Sequence, residues 1–398
     1  MDTKYINNDI ECGIDYDYKK VKKLFKKLGC PEDLFDPFPA LMSGCRWILD
    51  LSERSVGKTT QWLLVGMCMF RLYGTIIQYV RQFEDMIMPK ASSDLFATIL
   101  KYDYVTKLTD GEYNTIVYKS RRWYFAYMDT ETMEITRTCP DHFMFSCSVD
   151  KQQQLKSSYN CPTGDLIIFD EFVGKYTPVN EFVEFCDLTK TICRDRQSPR
   201  FVLLANTIDK HHIYFNELCI YDAVQMLHVG DHLDIKSHLG TRIYVEFLGL
   251  SGERRKKRSI INTLYYGFKN PRLASITGAD EWSMGCYQHI PKRAEDESDP
   301  QCISRQLYLL YNGRYVRLDI MQHPKLGVVI YAHWATQVYD DSVILTCDQR
   351  YDPRYQYQLG NKTISKLIKY MYTTNRIYYA SNDVGNFMDS YLKRCKSA

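Results

Sequence analysis

A chain of 398 residues is too long for a single small module and has the length for two or three domains. Its 45% hydrophobic and 25% charged residues exclude a low-hydrophobicity disordered chain. Lys plus Arg (51) exceed Asp plus Glu (48) by only three, which excludes a global cationic field and leaves nucleic-acid contact to local basic patches.

Residues 1–40 read as a polar extension, beginning MDTKYINNDIECG with no apolar signal core. With that start and no CxxC pair, the fourteen cysteines are expected as reduced thiols in a cytoplasm, most of them packed as small hydrophobes. Val21, Leu24, Phe25 and Leu28 recur at helical spacing among Lys19, Lys20, Lys22, Lys23, Lys26 and Lys27, predicting an amphipathic helix with a basic face that Gly29 and Pro31 end. That face reads as a solvated one ahead of a partner-binding one.

From 41 to 210 short apolar runs alternate with helical stretches: CRWILDL, TQWLLVGMCMFRLYG, TIIQYVR, DLIIFDEF, EFVEFCDLTKTICRDR and RFVLLANT. The alternation predicts an α/β domain with a mainly parallel sheet covered on both faces. RRWYFAYMDTETMEITRT predicts an antiparallel hairpin inserted between two of these units. The apolar run Trp62–Phe70 is roughly half of what a membrane span needs and predicts a buried helix, so no membrane is expected as partner. The stretch 211–300, with the charge run Glu253–Arg258 and a polar end, reads as a hinge region holding a helical piece. From 301 to 398, RQLYLLYNGRYVRLDI, LGVVIYAHWA and DSVILTCDQ predict consecutive antiparallel strands, with Asn312-Gly313 as a two-residue turn, followed by helix, short strand and helix. This is a second, α+β domain.

The segment Ser52-Glu53-Arg54-Ser55-Val56-Gly57-Lys58-Thr59, continuing to Thr60, lies between an apolar strand and a helix. It has the form of a phosphate-binding loop in which Ser52 replaces the first glycine. Backbone N–H groups and the helix N-terminus would cradle the phosphates, Lys58 would reach the β- and γ-phosphates, and Thr59 would ligate Mg²⁺. Asp165–Glu171 then forms an apolar strand ending in two acids. Adjacent strand residues point to opposite sides, which lets Asp170 join the metal shell while Glu171 polarises the attacking water. A third strand ends at Asn206-Thr207-Ile208-Asp209, where Thr207 stands in place of the lysine of a guanine-binding motif, and Val173 breaks a D-x-x-G after Asp170. ATP, rather than GTP, is the expected nucleotide, and Asn206 is placed as a polar sensor or a turn residue. Arg194 and Arg196 at a helix end read equally as dipole-compensating charges or as an arginine finger.

These motifs in this order resemble the DNA-packaging motor ATPases of small podoviruses of the phi-29 (Picovirinae) type, related to terminase large subunits. The anchors are SERSVGKT, IQYVR, LIIFDEF, TICRDRQSPRFVLLANTID, ERRKKR and LYLLYNGRYVRLDI. The resemblance implies a P-loop ATPase domain of the ASCE type, a helical linker domain over 211–300 and a C-terminal RNase H-like domain that has lost nuclease activity. It further implies a homopentameric ring that binds double-stranded viral DNA in the host bacterial cytoplasm, docked on the portal of a procapsid and its structural packaging RNA and absent from the mature virion. By motif position it makes Glu171 the catalytic base, Arg194 the finger acting on a neighbouring subunit, and Arg54, Arg81, Lys156 and Asn206 neighbours of the nucleotide. Asp319, Asp348 and Asp383 fall where terminases carry nuclease carboxylates, without the spacing of a metal cluster. The alternatives are a terminase with a live nuclease and a non-catalytic procapsid- or RNA-binding adaptor.

Overall fold

The computed structural model of the protein describes residues 16–31, 33–52, 56–88, 94–155, 163–174, 177–178, 180–194, 196–205, 209–237, 239–249, 256–257, 260–261, 264–265, 287–289, 301–323, 326–347, 355–357 and 362–397. The chain divides into two compact units, one of residues 1–174, 180–208 and 226–260, the other of residues 175–179, 209–225 and 261–398.

The first unit is built on ten strands: β1 (Trp47–Ser52), β2 (Ile77–Arg81), β3 (Thr115–Lys119), β4 (Arg122–Met128), β5 (Ile135–Thr138), β6 (Met144–Ser148), β7 (Leu166–Asp170), β8 (Arg200–Ala205), β9 (His232–Lys236) and β10 (Arg242–Leu248). Their order is β3-β4-β6-β2-β7-β8-β1-β10-β9, with β5 on β4. The six neighbours from β6 to β10 run parallel. Parallel strands are covered on both faces, which is why β1, β2, β6 and β7 are almost continuously buried. The inserted hairpin is present as antiparallel β4 and β5. Two strands, β9 and β10, come from the stretch for which the sequence suggests a helical piece, and β10 pairs in parallel with β1.

One face of this sheet carries α1 (Tyr18–Lys27), α2 (Phe38–Met42) and α3 (Lys58–Tyr73). Trp62, Leu63, Val65 and Met69 of α3 share a core with Ile48, Ile77 and Ile168 of the sheet and with Val21, Phe25 and Leu28 around α1. Helix α3 is apolar over nearly its whole circumference and is accordingly buried. Gly74 ends it in the left-handed region at φ 70°, its N–H returning to the Phe70 carbonyl. The opposite face is closed by the helix Glu181–Cys193, where Phe185 packs on Trp47 and Phe169. Among the described residues no helix is long and apolar enough to cross a membrane.

The second unit holds β11 (Gln301–Tyr311), β12 (Arg314–His323), β13 (Gly327–Trp334), β14 (Val343–Thr346), β15 (Tyr355–Tyr357) and β16 (Ile377–Tyr379), in the order β15-β14-β11-β12-β13-β16. Asn312 and Gly313 turn β11 into β12 with φ of 49° and 74°, the left-handed pair that a tight hairpin requires. Strands β11 to β13 are antiparallel as expected. β14 is not: it leaves β13 and runs parallel to β11. Its run Ile344–Thr346 is buried throughout, and an uninterrupted buried run suits a parallel inner strand better than an antiparallel edge. Helix Asn382–Ser397 packs Phe387 and Tyr391 against Trp334 and Tyr311.

Candidate nucleotide site

The loop after β1 delivers the chain into α3 through Gly57, whose φ of 91° suits glycine. A Cβ there would also stand 2.9 Å from Leu34 Cδ2. The first-turn amides at Lys58, Thr59 and Thr60 have no acceptor within the helix and form the positive end of its dipole. Val56 is buried, and its carbonyl accepts from Phe35 N at 3.3 Å, bracing the loop. Lys58 is buried too and donates to the Ser52 hydroxyl. The residue that departs from the loop pattern is therefore a partner of the loop lysine. Burial holds the Lys58 ammonium down at about 8, against the pull of Asp170, Asp50 and Glu171.

Thr59 Oγ1 lies 3.3 and 3.2 Å from the two carboxylate oxygens of Asp170, joining residues 111 positions apart. Tyr79, buried on β2, donates to Asp170 Oδ2 at 2.9 Å. Arg81 spans both acids: Nη1 is 3.5 Å from Asp170 Oδ2 and Nη2 is 2.6 Å from Glu171 Oε2. The two carboxylates do not diverge as strand alternation predicts. β7 ends at Asp170, and Glu171 takes a left-handed φ of 57°, which breaks the alternation and brings its carboxylate to the same guanidinium. Burial raises the Asp170 carboxyl, opposed by Arg81 and by the Tyr79 hydrogen bond. The Glu171 side chain is 41% exposed, open to water in a way that Asp170 is not.

Sequence reasoning missed three members of this neighbourhood. Tyr79 sits inside the quoted IQYVR run, and Asp50 is the one acid inside WILDLS, a signal that a buried strand makes unusual. Asp50 is wholly buried and accepts from Trp62 Nε1 of α3 at 2.5 Å. Beside it in register on β10 is the third, Glu246. Burial pushes the Asp50 carboxyl from 3.8 up to about 7, opposed by Trp62 and Lys58, and pushes Glu246 from 4.5 up to about 8, aided by Asp50 and Asp36. Groups whose folded pKa is raised stabilise fully below the unfolded value and lose that contribution as pH climbs through the folded one. Stability of this unit is thus expected to fall between about pH 4 and 8. Asp50→Asn should remove about 2–4 kcal/mol of that fall. Urea midpoints at both ends of the window measure it, and an unaltered slope in D50N would contradict the assignment.

The two arginines at the end of the helix Glu181–Cys193 differ. Arg196 is tied down: it pairs with the buried Asp165 and donates to Ile192 O at 2.7 Å and Gly164 O at 3.2 Å. Arg194, at the helix C-cap with φ 48°, is exposed. Glu181 at the other end of the helix accepts from Gln82, next to Arg81, so the helix is fastened to the edge of the site. Arg54, Ser55, Lys156 and Asn206, with Asp348 and most of the Glu253–Arg258 run, lie outside the described residues.

In the second unit the described candidate carboxylates are engaged. Asp319 meets Arg317 Nε at 2.8 Å and His333 Nε2 at 3.2 Å, contacts that outweigh burial and hold its carboxyl low. Asp383 meets Lys210 Nζ at 2.6 Å and His211 Nε2 at 3.2 Å and is likewise held well below the usual carboxylate range despite burial.

No protein-family model and no curated protein matches the chain. Solved structures do. The chain is similar to "The bacteriophage Phi-29 viral genome packaging motor assembly" at 18% identity and a TM-score of 0.53, over 91% of this chain and 99% of that one. It is similar to "The Phi-28 gp11 DNA packaging Motor" at 15% identity and a TM-score of 0.52, over 92% of this chain and 99% of that one. At these identities the likeness is one of fold, and it spans both units.

Proposed function

We propose that the protein is a viral genome-packaging motor ATPase, which couples ATP hydrolysis to the movement of double-stranded DNA into a procapsid. The observation that carries this reading is the contact of Thr59 with Asp170, which brings the loop lysine, a hydroxyl, a buried acid and an exposed acid to one end of a parallel sheet. The fold likeness to two packaging motors supplies the class of work.

Lys58 and the first-turn amides of α3 hold the triphosphate. The hydroxyl of Thr59 and the carboxylate of Asp170 are hard oxygen donors already in mutual contact, a set that fits Mg²⁺. Thr59 and Asp170 would hold Mg²⁺ there, and the ion would supply neutralisation of the negative charge that builds up on the phosphates. Glu171 accepts the proton of the attacking water as its oxygen bonds to the γ-phosphorus and the bond to ADP breaks. Arg81 Nη2 holds Glu171 Oε2 at 2.6 Å, so Glu171 takes up the water by loosening that pair. Arg194 reaches the nucleotide of the neighbouring subunit in a homopentameric ring. Arg54, Lys156 and Asn206 complete the nucleotide surroundings.

The order β15-β14-β11-β12-β13, antiparallel for β11–β13 and parallel for β14 and β15, supports an RNase H-like C-terminal domain. β11, at its centre, carries no acid at all, and Asp319 and Asp383 are neutralised by basic partners. These described carboxylates favour a domain that docks on the portal and its packaging RNA in the host cytoplasm over one that cuts DNA. We read the chain as an N-terminal extension over 1–40, an ATPase domain over 41–210 to which β9 and β10 add, a linker over the rest of 211–300, and a docking domain over 301–398.

The test is ATP turnover of the purified chain with and without duplex DNA. Turnover is expected to rise with duplex of any sequence and to fall by about 10²-fold or more in Lys58→Ala. Nucleotide-independent behaviour, or turnover in K58A equal to that of the parent chain, would remove the motor reading.

A further inference from the structure

The nucleotide site leaves α1 unused. Between Tyr18 and Lys27 the helix carries six lysines and no acid, a local charge twice the formal +3 of the whole chain. Val21 and Phe25 are buried against the core, and Tyr73 Oη donates to the Asp17 carbonyl at the helix start, so α1 is a fixed part of its unit. Its outer surface presents Lys19, Lys20, Lys23, Lys26 and Lys27, all exposed. Lys20 lies 3.7 Å from Asp17, and Lys22 is engaged by Asp36 at 3.6 Å and lies over the Phe38 ring. Among the described residues Lys19, Lys23, Lys26 and Lys27 have no ion-pair partner.

This arrangement is unfavourable for the isolated helix. Lys19 with Lys23, Lys22 with Lys26, and Lys23 with Lys27 are like charges at i,i+4, where a solvated helix ordinarily intersperses glutamate. Lys19 and Lys20 stand at the positive end of the helix dipole, which only the Asp17 cap offsets. A surface that needs charge only for solubility gains nothing from such one-sided placement. A partner with closely spaced negative charge relieves both costs at once.

We propose that the lysine face of α1 is a contact surface for the phosphate backbone of duplex DNA. Lysine is a flexible point charge suited to phosphate and poor at bidentate reading of bases, so the contact is independent of sequence. Duplex DNA presents a charge every ~1.7 Å of its axis, and the ten-residue helix runs about 15 Å, enough to lay several lysines along one strand. The choice of DNA over other polyanions rests on the packaging reading above.

The test uses the full chain with Lys19, Lys23, Lys26 and Lys27 all changed to Gln, which keeps helix propensity. A second variant carries Arg at the same four positions. Fluorescence anisotropy with a mixed-sequence duplex DNA, titrated between roughly 50 and 200 mM salt, reads the slope of log K against log salt. In the Gln variant that slope should become shallower by about 3 to 4, and affinity at ~50 mM salt should fall at least tenfold for every DNA sequence. The Arg variant should keep the parent slope, and ATP turnover without DNA should be unchanged in both. An unchanged slope in the Gln variant, no duplex binding by the parent chain, or a loss confined to duplex RNA would overturn the proposal. A parent chain that binds duplex DNA through these lysines but hydrolyses no ATP would sink the motor reading and leave this surface standing.

Discussion

Glu171→Gln should leave ATP bound and stop its hydrolysis. The substitution keeps size and hydrogen-bonding reach but removes the oxygen able to take a proton, and general-base catalysis contributes about 10²–10⁴-fold. Single-turnover hydrolysis should therefore fall by that factor, while affinity for a fluorescent ATP analogue stays within a few-fold of the parent. The phosphate-holding groups keep partners of their own: Lys58 donates to Ser52, and Thr59 contacts Asp170. Arg81 would keep Asp170 at 3.5 Å and exchange its 2.6 Å ion pair for a neutral hydrogen bond to the Gln amide oxygen, so local order should survive. Full turnover in E171Q would take the base role away from this residue.

Arg194→Ala and Arg196→Ala should fail in different ways. Removing a transition-state arginine lowers turnover by about 10³–10⁵-fold. R194A, which changes an exposed side chain, should lose DNA-stimulated turnover with little change in melting temperature. R196A leaves the buried Asp165 without its cation, and stability should drop by about 3 kcal/mol. Mixing decides whether the finger acts across subunits: R194A subunits retain a working loop and Lys58→Ala subunits retain a working finger, so mixed rings should recover part of the activity. R194A turnover equal to the parent, or no recovery on mixing, would reject the trans assignment.

Much of the site could be read in advance because its parts are local. A strand, a glycine-lysine turn and a helix within one stretch predict where Lys58 and Thr59 stand, and an apolar run closing on two acids marks Asp170 and Glu171. Arg196 and Arg194 are two residues apart in one motif, and nothing in that spacing distinguishes the buried ion pair from the exposed side chain. Tyr79 and Arg81 share a face of β2, but their hold on Asp170 follows only from β2 lying beside β7.

By itself the sequence determined several elements and their punctuation: the buried α3, the basic α1, the Asn312-Gly313 turn, and the loop and the acid-ended strand that meet at the candidate site. These follow from side-chain periodicity and backbone preferences within a dozen or so neighbouring residues. Only the tertiary structure decided that β14 runs parallel to β11, that β10 joins β1 and sets Glu246 beside Asp50, and that one guanidinium gathers the last acid of β7 and the acid that follows it. Those outcomes turn on which distant strands become neighbours and on a left-handed backbone at Glu171, neither of which hydrophobic periodicity encodes.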